Sequence, residues 1–387
     1  MAMELARLIE KTAQMDIKLV SGEKGLHHIV TWVHMVESVE ATEFLDRGQL
    51  AFVTGIGLHE PEELTELLKI MQEKGLAGVI VNTGPFIERI PDSAIRYCEE
   101  QGFPLFAVPW KEHLAEIMRI CCYAITREEQ RLLETSAAFK NAIFFPDQEE
   151  LYLVPLSHRS FQANWRYSVT VMRLQSQEKR PEERLELLRT MLERAVRHSG
   201  RHFAIFPNET ELVLILADVT EAELQETVTD LRRRSGQLLA RGEELSLGVG
   251  RLTRSVRCLY KSYRQAKAIQ RLQAGHKIST DQIFYTNLGI YRLLIGIEDR
   301  EIMTEYYAQT IKPLAEYDEV NQTDLCRTLK SYLTHNGSVR ETAEELFVHR
   351  NTVNYKLNKI RELLGADISS LNTRMELMLA FDLQDIL

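Results

Sequence analysis

A block of polar and basic residues near the end of the chain has the composition of a surface that contacts DNA. The stretch 348–361 contains four basic residues and no acidic residue. In the major groove, arginine pairs with guanine and asparagine with adenine, so we predict that Arg350 and Asn354 read bases. Threonine and lysine suit phosphate oxygens, a role predicted for Thr352, Lys356 and Lys359. The predicted DNA-contacting residues are His349, Arg350, Asn351, Thr352, Asn354, Tyr355, Lys356 and Lys359.

The residues around this block predict a helix-turn-helix over 338–361. Ser338 with Glu341 three residues later predicts a capping box that opens a first helix. A tight turn at 347–348 leads to a second helix that opens at His349. The apolar residues of the second helix recur at steps of four, three and four and form one buried stripe: Val353, Leu357, Ile360 and Leu364. The alternative is a helical hairpin with a solvated basic face, but such faces usually alternate charges, and this one has no acid.

A second group of polar residues follows the predicted strands of the N-terminal region, which alternates strands and helices. Buried strands at 49–53 and 76–81 each run into a glycine loop, and a third short strand lies at 103–110. In an open parallel sheet, ligands bind beyond the carboxyl ends of the strands. A small polar metabolite stacked on the tryptophan is therefore one interpretation of Thr54, Gly55, Gly57, Asn82, Thr83 and Trp110. The other is that tight turns need the glycines for geometry alone.

The sequence predicts no catalytic residue, metal or cofactor. The pairs 55–57 and 248–250 begin like a dinucleotide-binding G-x-G-x-x-G but lack the third glycine. No G-x-x-x-x-G-K-[ST] phosphate loop occurs. The adjacent pairs 27–28 (His-His) and 121–122 (Cys-Cys) project in different directions, so they suit a single metal poorly.

The composition and charge of the chain exclude several further classes of protein. The chain has 387 residues and a net charge of −9, which weighs against non-specific nucleic-acid binding because the overall field repels phosphate. No apolar run approaches the ~18 residues of a membrane span. The five cysteines are too sparse for a disulfide framework. Together with an N-terminus unlike a signal peptide, these features predict a cytoplasmic protein with reduced thiols and no membrane contact.

The two ends of the chain resemble the PucR family of regulators, named for purine catabolism. The stretches that carry the resemblance at the C-terminal end are 287–295, 313–318, 328–333, 342–346 and 348–360 (VHRNTVNYKLNKI). Those near the N-terminus are 22–26, 32–34, 48–57 (GQLAFVTGIG) and 103–110 (FPLFAVPW). The middle resembles a degenerate GGDEF-type cyclase domain, marked by 248–250 and 262–266. Position 356 is lysine where the family often has arginine, which weakens any bidentate contact there.

The resemblance implies a multidomain chain of α/β, α+β and all-α parts. Its expected order is an α/β sensory domain at 1–125, a helical linker at 126–150, a degenerate GGDEF-like domain at 151–285 and a helical DNA-binding domain at 286–387. A nucleotide cyclase needs metal-binding acids and paired glycines, and the hairpin at 206–212 (FPNETEL) has no glycine pair.

We therefore predict a sequence-specific, non-enzymatic transcriptional regulator that responds to a small metabolite of purine or related metabolism. One such motif covers too little DNA for high specificity, so a homodimer or higher homo-oligomer on an inverted-repeat operator is expected. Two alternatives stay open. In the first, the chain is an adaptor that binds protein partners through the same helices. In the second, it is a nucleotide-metabolising enzyme that acts through the cyclase-like domain.

Overall fold

A computed structural model of the chain describes residues 3–58, 60–176 and 181–387. It divides into two compact units, Met1–Thr135 and Ser136–Leu387. Among the described residues, no helix combines the length and the apolar character needed to cross a membrane.

The first unit is built on a five-stranded sheet. The strands of the whole unit are β1 (Met3–Glu4), β2 (Lys18–Ser21), β3 (Ile29–Val30), β4 (Trp32–Met35), β5 (Gln49–Val53), β6 (Gly78–Thr83) and β7 (Leu105–Pro109). Its helices are α1 (Leu5–Glu10), α2 (Pro61–Glu73), α3 (Asp92–Gln101) and the start of α4 (Leu114–Phe144). The large sheet has the order β2-β7-β6-β5-β4, and β1 pairs with β3 separately.

The predicted parallel sheet is confirmed for β4 to β7, but the edge strand β2 of this sheet was not predicted. Strand β2 pairs antiparallel with β7 at the sheet edge. Its Lys18 and Leu19 are exposed, so β2 lacks the apolar run that marks the buried strands. The period-two alternation of β5 sends Ala51 and Val53 into a core with α2 and α3, and Leu50 into a core with α1 and α4.

The second unit begins with a four-stranded antiparallel sheet. Its strands are β8 (Tyr167–Gln175), β9 (His202–Asn208), β10 (Glu211–Ala217) and β11 (Glu244–Val249), in the order β11-β8-β10-β9. Its helices are α5 (Leu153–Ser157), α6 (Pro181–His198), α7 (Glu221–Leu238) and α8 (Leu259–Ala274). Helix α8 and the end of α4, through Phe139, pack on one sheet face, and α6 and α7 cover the other.

The chain ends in a bundle of short helices, as predicted. They are α9 (Tyr291–Gly296), α10 (Arg300–Thr310), α11 (Lys312–Asn321), α12 (Leu325–Thr334), α13 (Val339–Glu345), α14 (Arg350–Leu364) and α15 (Leu371–Gln384). Most of these helices share one apolar core, in which Leu329, Leu357 and Ala380 are buried. Helix α14 packs against α11, α12 and α13, so three helices fix its position.

Candidate nucleic-acid interface

Helix α13 begins where the sequence predicts, but with half of the expected cap. The Ser338 side chain accepts a hydrogen bond from the Glu341 backbone N–H at 3.3 Å. The prediction of a complete capping box is wrong, because the backbone N–H of Ser338 donates to the carbonyl of His335 at 3.0 Å instead of to the Glu341 carboxylate. The serine alone satisfies one of the free N–H groups at this helix end.

The turn into α14 is tight, and a histidine caps the helix. Phe347 has a φ of +56°, in the left-handed region that reverses the chain after α13. The side chain of His349 occupies the N-cap position, and its Nδ1 accepts from the backbone N–H of Asn351 at 3.3 Å. At the other end, Gly365 with a φ of +59° terminates the helix.

The predicted buried stripe of α14 is confirmed. Val353, Leu357 and Ile360 are fully or almost fully buried in the core of the bundle, and Leu364 packs against its margin. Because these side chains recur at helical spacing, they fix the rotation of α14 about its own axis. The polar residues between them are therefore turned outward.

The first two turns of α14 present a polar face to solvent. Its exposed side chains are Arg350, Asn351, Thr352, Asn354 and Tyr355, the last with 74% of its surface accessible. In the part of the chain that the structure describes, the Arg350 guanidinium forms no ion pair with a carboxylate. The structure thus brings five of the eight predicted residues, and the N-cap His349 beside them, onto one free surface.

The two lysines predicted to bind phosphate both form ion pairs with carboxylates of the protein itself. The Lys356 ammonium pairs with the carboxylate of Asp324 at the start of α12, and only 17% of its side chain is exposed. Lys359 lies 3.3 Å from Glu362, and that hydrogen bond raises the pKa of the lysine. Sequence spacing cannot show the contact of Lys356, because Asp324 lies on another helix.

Phe347 belongs to the exposed surface, although the residue pattern around it does not predict this exposure. Its ring is 94% exposed, three residues before Arg350. The sequence predicts that Phe347 lies in the turn. However, Leu346, Phe347 and Val348 are three consecutive apolar residues, so the pattern does not show which of their side chains faces solvent. Its left-handed backbone conformation turns its side chain away from the core.

Helix α12, which supports α14, has its first turn anchored by an aspartate of α11. The Asp318 carboxylate accepts from the backbone N–H groups of Leu325 at 2.8 Å and Cys326 at 2.7 Å. Burial opposes the charge on Asp318, but hydrogen bonds from Thr323 and from these two N–H groups outweigh it and lower the pKa of Asp318. The carboxylate therefore stays ionised and satisfies two free donors of α12.

The polar side chains predicted to hold a metabolite bind the protein itself. The Thr54 hydroxyl donates to the Glu37 carboxylate at 2.7 Å. The Asn82 amide donates to the carbonyl of Val108 at 3.2 Å, and the Thr83 hydroxyl donates to the same carbonyl at 3.3 Å. These hydrogen bonds connect the strand ends of the first unit to one another and to neighbouring loops, and they occupy the side-chain groups that would bind a ligand.

The glycines of the same region are explained by close packing. Gly55 has a φ of +85°, and a Cβ built there would lie 2.5 Å from the Ile87 side chain. A Cβ at Gly57 would lie 2.2 Å from the carbonyl oxygen of Glu37. Trp110 is partly exposed and rests on Phe86, with ring centroids 5.6 Å apart. The geometry favours the interpretation of these loops as tight turns.

The described residues contain no cluster of three or more His, Cys, Asp or Glu side chains that could hold a metal ion. A capped helix, a tight turn and a second helix with an exposed, acid-free polar face define a helix-turn-helix domain.

Comparison with known families gives the same class. Residues 325–383 match the PucR C-terminal helix-turn-helix domain, and residues 7–125 match the Purine catabolism regulatory protein-like family. Residues 157–272 match the GGDEF-like domain. The two ends of the chain thus match domains of the PucR family, with a GGDEF-like domain between them.

Individual relatives match parts of the chain. It is 34% identical to the proline-responsive transcriptional activator PutR of Bacillus subtilis over 34% of this chain and 33% of the relative. It is 36% identical to the purine catabolism regulatory protein of the same organism over 31% of this chain and 23% of the relative. The matches thus span a third or less of these relatives' lengths.

Among solved structures, the chain is similar to a regulator of polyketide synthase expression from Bifidobacterium adolescentis. The two share 20% sequence identity with a TM-score of 0.30, over 64% of this chain and 95% of that one.

Proposed function

We propose that the chain is a sequence-specific DNA-binding transcriptional regulator that inserts α14 into the major groove of duplex DNA. The observation that carries this proposal is the polar, acid-free face of the first two turns of α14, where Arg350 is exposed and unpaired with any acid of the described residues. That face has the donors and acceptors that base edges and phosphates require. The names of the relatives, an activator and a regulatory protein, support the same function.

Within this proposal, Arg350 and Asn354 read bases, and His349, Asn351 and Tyr355 lie next to them. Thr352 and Lys359 bind phosphates. Lys356 also remains a predicted phosphate contact, but its ammonium has to leave Asp324 to reach DNA.

The functional form on DNA is a homodimer or a higher homo-oligomer. One recognition helix contacts only a few base pairs, and a two-fold symmetric dimer doubles the number that is read. The matching operator is an inverted repeat with half-sites about one helical turn apart.

The regulator responds to a small metabolite. The relatives' names mention proline and purine catabolism, so effectors of different chemistry occur among related proteins. We propose nitrogen-containing metabolites as the first class to test, with the 1–125 region as the sensory domain.

The GGDEF-like domain is proposed to be non-catalytic. At the hairpin between β9 and β10, Glu209 forms the turn with a φ of +54°. Glu211 is buried and pairs with Lys267, so it is not available to hold a metal ion with nucleotide. Incubation with GTP and Mg²⁺ tests this, with no turnover expected; turnover that Glu209→Ala abolishes would establish an enzyme.

Salt-dependent binding to duplex DNA separates this function from that of a protein-binding adaptor. Fluorescence anisotropy of a labelled mixed-sequence duplex should show an affinity that falls steeply between about 50 and about 200 mM salt. Arg350→Ala should weaken this binding, and Arg254→Ala, at an exposed arginine of the GGDEF-like region, is the matched control. A chain without measurable affinity for duplex at low salt would favour the adaptor.

A further inference from the structure

A cleft within the second unit is lined by basic side chains that the proposed DNA contacts do not use. It has a volume of about 150 Å³ and lies between α8, the helices α9 and α10, and the end of α15. Helix α8 contributes Arg264, Lys267 and Arg271, and α10 contributes Arg300. The cleft thus joins the last helix of the GGDEF-like domain to the helical bundle.

The positive charge of this cleft is only partly neutralised. Lys267 pairs with Glu211. Asp385 lines the cleft, but its side chain is 5% exposed and already lies 2.6 Å from Lys277. Within the described ranges, none of the three arginines forms an ion pair with a carboxylate. An uncompensated cluster of guanidinium groups stands out in a chain whose net charge is −9.

The rest of the lining is apolar and limits the size of a ligand. Buried or half-buried apolar side chains form this part of the wall: Leu272, Leu294, Ile295, Ile297, Met303 and Ile386. A cavity of about 150 Å³ is the size that admits one benzene ring. The three arginines are themselves exposed, so their guanidinium groups are accessible to a ligand. Guanidinium groups bind carboxylates and phosphates through paired hydrogen bonds.

We propose that this cleft binds a small organic anion, a carboxylate or a phosphate monoester attached to an apolar body about the size of a six-membered ring. The arginines hold the anionic group, and the apolar wall accepts the ring. A ligand here would contact both α8 and the bundle that carries α14, so we expect it to modulate DNA binding. This regulatory consequence rests on the proposed function, whereas the binding site does not.

Binding is measured by ¹⁹F NMR titration of the full chain, without DNA. The probes are 4-fluorobenzoate and 4-fluorophenyl phosphate, which distinguish a carboxylate from a phosphate site, and 4-fluorobenzamide is the neutral control. We expect at least one anion to broaden and shift on addition of protein, and the amide to bind at least about tenfold more weakly.

Two variants locate the binding. Arg271→Gln and Arg264→Gln should each weaken the anion at least about tenfold, and Arg254→Gln, outside the cleft, should leave it unchanged. Circular dichroism of each variant verifies folding. Equal binding of the amide and the anions, or anion binding that neither cleft variant weakens, would overturn the proposal. So would the absence of binding by both anions at concentrations of about 10 mM, which lies above the Kd expected for fragments of this size.

The regulatory consequence has its own readout. Saturating anion should change the affinity of the wild-type chain for duplex DNA at least about threefold and leave the Arg271→Gln variant unaffected. An anion that binds in the NMR titration and leaves DNA affinity unchanged would refute the regulatory role and keep the site. A chain that fails to bind DNA but binds the anion would refute the proposed function alone.

Discussion

The N-cap of α14 offers a quantitative test of how the protein holds its DNA-contacting face. The His349 Nδ1 accepts from the Asn351 N–H at 3.3 Å, in an exposed position. Replacing a capping side chain by alanine costs about 1 kcal/mol of helix stability, and asparagine is among the strongest caps. We expect His349→Ala to destabilise the start of α14 by about 1 kcal/mol and His349→Asn to preserve it.

Hydrogen–deuterium exchange of the full chain measures this effect locally, because a multidomain protein does not unfold in a single step. A loss of about 1 kcal/mol corresponds to about fivefold faster exchange in peptides from the first turns of α14. The His349→Asn variant should exchange like the wild type. His158→Ala, at an exposed histidine of the second unit, is the control and should leave α14 unchanged. Wild-type exchange in His349→Ala would refute the capping role.

The same variants separate helix capping from DNA contact. His349→Asn keeps the cap but replaces the imidazole, so any loss of DNA affinity in this variant reports the ring itself. We expect His349→Asn to lose about 1 kcal/mol of DNA-binding free energy, the lower end of the range for a base contact, because His349 lies next to the base readers. Unchanged affinity of the asparagine variant would restrict His349 to positioning the helix.

Three further predictions follow from contacts of single residues. If Lys356 leaves Asp324 to bind a phosphate, Lys356→Met should reduce the slope of the salt dependence of DNA binding by about 0.9, and an unchanged slope would show that Lys356 stays paired with Asp324. The pKa of Asp318 is lowered in the fold, so its stabilisation is present at neutral pH and lost as pH falls through that value. Asp318→Asn should therefore lower the Tm of the unfolding transition that includes the helical bundle at pH 7 and have the wild-type Tm in acid, whereas a difference in Tm that does not change with pH would contradict this. Gly55→Ala should lower the Tm, because a Cβ would lie 2.5 Å from the Ile87 side chain at a φ of +85°, and an unchanged Tm would contradict the packing account.

The elements of the DNA-contacting region could be predicted because their signals are local. The spacing of Val353, Leu357 and Ile360 defines one helix face, and Ser338 marks a helix start by its position alone. The same holds for the buried strands predicted at 49–53 and 76–81, whose apolar runs end in glycine loops and which the structure places at Gln49–Val53 and Gly78–Thr83. Signals confined to one element survive whatever the tertiary arrangement is.

Contacts between distant segments could not be predicted. The sequence gives no sign that Glu37 accepts from Thr54, and this hydrogen bond changes the meaning of a predicted ligand-binding threonine. The pair of Lys356 with Asp324 likewise depends on how two helices pack. The exposure of Phe347 depends on the left-handed backbone of one turn residue. In each case, tertiary packing decides which polar or apolar group is free.

The most direct test of the central claim is the DNA that the protein selects. Purified protein is incubated with sheared genomic DNA from its own source at moderate salt, and the retained fragments are sequenced for the wild type and for Arg350→Ala. We expect a few sharply enriched inverted repeats with the wild type. The variant should lose about 1–3 kcal/mol of affinity and relax its preference at one base of each half-site. A flat profile or no retention by the wild type would contradict sequence-specific DNA binding, and uniform weakening of the variant on all sequences would make Arg350 a phosphate contact.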